Sequence, residues 1–184
     1  MIIGVTGTDG GGKGAVVEYL VATKGFVHCS ARALWMDEMA RRGVEPTRAN
    51  MRIVANSLRA EHGNDYLITE FVRRAAEVGW QDIVIESIRA VAEAETLKAS
   101  GGVLFSVDAD QKLRYERVCS RAATTDKVSF EEFVSHEQLE MNDPDPNGMQ
   151  KARVMAMADF TLQNNGTLEE LHAQVDAALA AAKK

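Results

Sequence analysis

Within the segment GVTGTDGGGKGAVVEYL, residues 4–20, the stretch from Gly7 to Lys13 holds four glycines, an acid and a lysine in the pattern Gly7-x-x-x-x-Gly12-Lys13. Gly7, Gly10, Gly11 and Gly12 let the backbone curl so that successive N–H groups point into one concavity, to which a following helix adds its positive end. Such a cradle suits the phosphates of a nucleoside triphosphate, with Lys13 as a point charge for the β- and γ-oxygens. ATP with Mg2+ is the ligand this implies. The residue after the lysine, where a Ser or Thr hydroxyl would reach magnesium, is Gly14, and Ala15 follows it. The metal is then expected to be held by the nucleotide phosphates and by waters, with Asp9 in the loop or Glu86 farther along as the carboxylate.

A loop of this kind works only if a strand leads into it and a helix leaves it. Short β-branched runs alternate with longer helical patterns along the chain, which marks βαβ units around a parallel sheet. Strands are predicted at about 1–6, 26–29, 82–86, 102–108 and 159–163, giving a three-layer α/β fold on a five-stranded parallel sheet. Helices are predicted at about 13–24, 31–43, 48–62, 64–78 and 110–122, with a closing helix after the N-cap Thr167. The three helices between the second and third strands, residues 31–78, are too long for a simple crossover and are expected to form a flap over the carboxyl edge of the sheet. Residues 121–149 contain the capping-box pattern Ser129-x-x-Glu132 and a Pro/Asp/Gly-rich turn, and read as a lid-like helical cover. At 184 residues the whole chain reads as one domain, 1–184.

Charge narrows the partners. A net charge of −6 argues against polymeric nucleic acid, whereas 13 Arg against 8 Lys favours a small phosphorylated ligand bound by planar guanidinium forks. Arg114, Arg117 and Arg121 recur at spacings of three and four and share one helix face. Arg48, Arg52 and Arg59 read as helix-surface charges. Cys29 and Cys119 lack the spacing of a metal cluster or a disulfide framework, and the four histidines lack metal-ligand spacing. The opening residues, MIIGV, show no signal-peptide pattern, and no apolar run is long enough for a membrane span, so a cytoplasmic protein is expected.

The residues around the loop resemble a known family. GKG is how adenylate kinases and other nucleoside monophosphate kinases write it, and GTDGGGK resembles the thymidylate kinase version with its internal Asp. HCSARALWMDEMARRGVEPTRAN, VANSLRAEHG, IVIESIRAVAEAE, RYERVCSRAATTDKVSFEEF and ADFTLQNNGTLEEL resemble adenylate-kinase-related P-loop proteins of archaea and bacteria; the last piece also resembles dephospho-CoA kinases. The resemblance implies a P-loop fold that transfers the γ-phosphoryl group of ATP to a nucleoside or deoxynucleoside monophosphate.

It also implies roles for particular residues. Asp9 would contact the acceptor's sugar hydroxyl and an acceptor-phosphate arginine. Arg89 in ESIR matches the arginine of an Asp-Gly-x-x-Arg segment that holds the acceptor phosphate, with Glu86-Ser87 in place of Asp-Gly. Arg32 stands after the second strand where dephospho-CoA kinases carry an Asp, and an arginine there suits a phosphate acceptor. Arg117 and Arg121 would close over the triphosphate, and Asn164 to Gly166 would lie against the adenine. A dephospho-CoA-kinase-like enzyme and a non-catalytic nucleotide-binding module are the alternatives, the second favoured by Gly14-Ala15. Either a monomer or a homodimer is compatible with these features.

Overall fold

The computed structural model describes residues 1–121, 129–142 and 149–183, without the side chains of Arg48 and Arg121. Five strands, β1 (Ile2–Gly7), β2 (Val27–Cys29), β3 (Ile83–Glu86), β4 (Val103–Asp108) and β5 (Phe160–Gln163), form one sheet in the order β2-β3-β1-β4-β5, every pair parallel. The strands fall within a residue or two of the sequence expectation; β1, β3 and β4, at the centre, are buried on both faces and read as largely apolar runs, whereas the edge strands β2 and β5 keep exposed residues.

Alternation along the strands separates two cores. Ile83, Ile85 and Leu104 face one side; Ile3, Val5, Val84, Phe105 and Val107 face the other. The second side is covered by α1 (Lys13–Lys24) and α9 (Leu168–Ala182), through Val16, Val17, Leu20, Leu171 and Val175. The first side is covered by α4 (Tyr66–Val78), which follows α2 (Ala31–Arg42) and α3 (Arg48–His62), by α5 (Val91–Ala99), and by α8 (Lys151–Ala156) through Val154. Between α5 and α8 come α6 (Gln111–Arg121) and α7 (Phe130–Met141). The helices α5 and α8 were not anticipated: the first is only nine residues long and the second six.

The flap differs from its expectation in one respect. Leu67, Ile68, Phe71 and Ala75 of α4 share a core with Ile83 and Ile85, so this helix belongs to the layer packed on the sheet. Leu34, Trp35, Met39, Val54 and Leu58 of α2 and α3 extend the same core outward. Arg59, read from sequence as a surface charge, instead donates to the fully buried Glu93 at 3.1 Å and lies over the Trp35 ring. Glu93 also accepts from the backbone N–H groups of Arg89 and Ala90 at the start of α5. A carboxylate removed from water needs both a counter-ion and donors, and that requirement pins α3 to α5.

Candidate functional site

The glycine cradle lies where β1, the central strand, meets α1. Gly7 closes the strand with φ 133°, and a Cβ there would meet the Val107 carbonyl oxygen at 2.0 Å. Gly12 caps α1 with φ 108°, and a Cβ there would meet the Asn164 amide nitrogen at 2.0 Å. Both positions combine a left-handed backbone with a close approach, so only glycine fits.

One wall of the loop is held by a connected set of hydrogen bonds. The Thr8 hydroxyl donates to Asp108 at 2.6 Å at the end of β4. Arg114, 5% exposed, donates to the carbonyls of Ala109 and Asp9 and pairs with Glu137 of α7. The Arg117 guanidinium donates to the carbonyls of Gly10 (3.4 Å) and Asn164 (2.9 Å). The Asn164 amide in turn donates to the Gly11 carbonyl at 2.9 Å. Asn164 and Arg117, which the resemblance assigned to the nucleotide, therefore brace the loop from behind with these contacts. The physical reason is that a tightly wound loop leaves carbonyls pointing away from the cradle, and buried carbonyls require donors. Gly166 sits at the start of α9, where a Cβ would run into Glu170, the residue that closes the capping box with Thr167.

At the mouth, Lys13 bends back onto the carbonyls of Gly7 (3.1 Å) and Thr8 (2.7 Å). Asp9 Oδ1 lies 3.6 Å from Lys13 Nζ and 3.1 Å from Lys151 Nζ. Lys151 opens α8, is 3% exposed, and also pairs with Glu140 of α7. Partial burial opposes ionisation of Asp9, but Lys151, Lys13 and Arg89 overcome it and bring the carboxyl down to about 2. For Lys13 burial is the larger influence; Asp9 only partly offsets it, and the ammonium falls to about 8.

The opposite wall is built from the ends of β2 and β3. Register pairs Glu86 with Val5, which brings its carboxylate to the edge from which the loop departs. Glu86 accepts from the Ser30 hydroxyl at 3.1 Å and lies 3.4 Å from His28 Nε2. Ser87 follows with φ 65°, the one non-glycine residue among those described with a left-handed backbone. Such strain gathers where a chain must turn sharply at a site. Arg89 is half-buried, with its guanidinium on Met149 Sδ at 3.2 Å. Arg32 is exposed, with no hydrogen bond or ion pair to a described residue. The Arg121 side chain lies outside the described residues, as do 122–128 and 143–148 of the predicted lid.

The carboxylates expected to meet a magnesium ion each have other partners in this structure. Neither Gly14 nor Ala15 carries an oxygen, although a Cβ at Gly14 would have open space around it. Asp9 is engaged by two lysines and Glu86 by Ser30. Among the described residues no group of three His, Cys, Asp or Glu side chains is placed to hold a metal.

Reading the sequence missed Lys151, Glu140, Glu137 and Asp108 as members of this site. Lys151 lies 142 positions from Asp9 with no local pattern to mark it. Only Asp108, at the end of a predicted strand beside the loop strand, carried a usable signal.

A parallel sheet ordered 2-3-1-4-5, with a glycine cradle and lysine between β1 and α1, is the architecture of the P-loop kinases. The chain belongs to the AAA domain family AAA_18, which matches residues 3–142, and to the UPF0200 proteins. The UPF0200 protein of Thermococcus kodakarensis is 30% identical over 181 residues, spanning 95% of this chain and 94% of its own. That of Hyperthermus butylicus is 29% identical over 175 residues, spanning 95% and 90%. Among solved structures, TT1252 of Thermus thermophilus superposes with a TM-score of 0.67 at 21% identity, covering 98% of this chain and 97% of its own. The shikimate kinase of Aquifex aeolicus superposes at 0.59 and 14%, covering 100% and 98%. At these identities the likeness is one of fold. No described helix is long and apolar enough to cross a membrane.

Proposed function

We propose that this protein is an ATP-dependent kinase that transfers the γ-phosphoryl group to a nucleoside or deoxynucleoside monophosphate. The observation that carries the reading is the convergence of Lys13 and Lys151 on Asp9 at the mouth of the cradle, where the charge of Arg89 adds to the positive field. A pair of phosphorylated substrates brings several negative charges to one place, and phosphoryl transfer is catalysed mainly by positioning and neutralising them. Lys13 would exchange the Gly7 and Thr8 carbonyls for the β- and γ-oxygens of ATP. Arg89, and Arg32 from the first turn of α2, would hold the acceptor phosphate, and Asp9 would receive the acceptor's sugar hydroxyl. Magnesium enters in this reading with ATP, held by the phosphates and waters.

One observation favours a second reading. Glu86 lies beside Ser30 and His28, where a carboxylate would serve as general base toward a hydroxyl acceptor such as that of dephospho-CoA. The two readings separate in one experiment: ADP release measured with ATP, magnesium and a panel of nucleoside monophosphates, deoxynucleoside monophosphates and dephospho-CoA. Stimulation by one or more monophosphates is expected. Stimulation by dephospho-CoA alone would select the second reading, and tight ATP binding with no stimulation by any acceptor would make this a nucleotide-binding module.

A further inference from the structure

Lys151 is the most thoroughly buried charge at the loop mouth, and bracing the fold does not account for where it points. Its side chain is 4% exposed, yet its ammonium emerges beside the cradle, on Asp9 of the loop and Glu140 of α7. Burying an ammonium is costly unless strong partners surround it, so two carboxylates from separate elements hold it there. The same oxygen, Asp9 Oδ1, faces both Lys151 and Lys13. Two ammonium groups converging on one anionic oxygen is an arrangement that a phosphate oxygen can take over. Arg114 and Arg117 are less available for this, because the guanidinium contacts described above go to backbone carbonyls and to Glu137.

The loop also lacks the usual means of recruiting a metal, since Gly14 and Ala15 offer no hydroxyl. We propose that Lys151 is a second phosphate-binding cation of the donor site, and that Lys151 and Lys13 together neutralise the nucleotide so that ATP binds tightly without a divalent cation. This rests on the reading that the cradle holds a nucleoside triphosphate. In this arrangement Glu140 is the anion that the nucleotide displaces: it occupies Lys151 while the cradle is empty and competes with phosphate for it. A substitution that removes that competitor should therefore improve binding, which a purely structural ion pair would not do.

The test is titration calorimetry of ATP with the full chain, in magnesium and again in excess EDTA. For the unaltered protein the dissociation constant is expected to change less than threefold between the two buffers; a loss of tenfold or more on chelation overturns the proposal. Lys151→Met is expected to weaken ATP at least tenfold in EDTA, with part of the loss restored by magnesium, while Lys151→Arg retains most of the affinity. Glu140→Gln is expected to tighten ATP several-fold. Gly14→Ser, introduced where there is open space, is expected to make affinity depend on magnesium.

If Lys151→Met unfolds, Glu140→Gln decides alone: unchanged or weaker ATP binding means that the pair is only structural. Absence of ATP binding by the unaltered protein in either buffer would instead remove the kinase reading itself. Binding that is tight only with magnesium would remove this inference and leave that reading standing.

Discussion

The two walls of the cradle contrast in how their charges are engaged. On the β4–α6–α7 side, Asp108, Arg114, Glu137 and Arg117 bind one another or loop backbone, and little is left over for a ligand. On the β2–β3 side, Arg32 is exposed and has no hydrogen bond or ion pair to a described residue, Arg89 rests on a thioether, and Ser87 holds a left-handed backbone beside Glu86. The first wall is bonded to the loop it borders; the second leaves Arg32 and Arg89 without a carboxylate partner among the described residues. A group left incompletely satisfied can meet a ligand without giving up a partner, whereas a scaffold needs its polar groups paired.

The contrast is most directly broken at Arg114. Arg114→Ala would leave Glu137 and Asp108 partly buried without their cation, and a stability loss of about 3–5 kcal/mol is expected in denaturant unfolding. A loss below about 1 kcal/mol would show that this wall is not fixed by its ion pairs. Lys13→Ala tests the mouth itself. Circular dichroism should stay unchanged, while turnover falls a hundredfold or more, about 3 kcal/mol of transition-state stabilisation. Near-normal turnover would remove Lys13 from the reaction.

The open wall should respond differently. Arg32→Ala and Arg89→Ala are each expected to weaken the acceptor by about 1.5–3 kcal/mol in titrations, with much less change in ATP affinity and in melting temperature. Equal losses for both ligands would assign them to the scaffold.

Acidity at the mouth supplies a further check. The Lys13 ammonium, lowered to about 8 in the empty protein, must be charged to hold phosphate. Above that pH the empty site is mostly deprotonated, so ATP binding has to take up a proton and weakens as pH rises. Between pH 8 and 9 the loss should be about fivefold, about 1 kcal/mol. Calorimetry at pH 9 in buffers of different ionisation enthalpy should show uptake approaching one proton; no uptake would mean that Lys13 keeps its charge throughout. The smallest effect is expected at Ser87. Ser87→Gly relieves the left-handed backbone and should stabilise the fold by about 0.5–1 kcal/mol, read as a rise in melting temperature.

What could be read from the sequence follows the range of the interactions involved. The five strands, α1 to α4 and the N-caps at Ser129 and Thr167 were legible because each depends on apolar periodicity or on a side chain bonding three residues ahead. The cradle was legible because its backbone shape needs glycine at particular steps. The contacts of Asn164 and Arg117 with the loop were not: which way an amide or a guanidinium points depends on the carbonyls left bare by a loop 153 and 107 positions away. Arg59 was misread as a surface charge for the same reason, since Glu93 lies 34 positions on. Lys151 stayed hidden altogether, because its burial, its two carboxylate partners and its approach to Lys13 are created only when α7 and α8 close against the loop. Sequence by itself determined the sheet, the cradle and the class of ligand the cradle suits. The tertiary structure alone decided which charges brace that cradle and which stand at its mouth, because charge pairing acts through space and leaves no period along the chain.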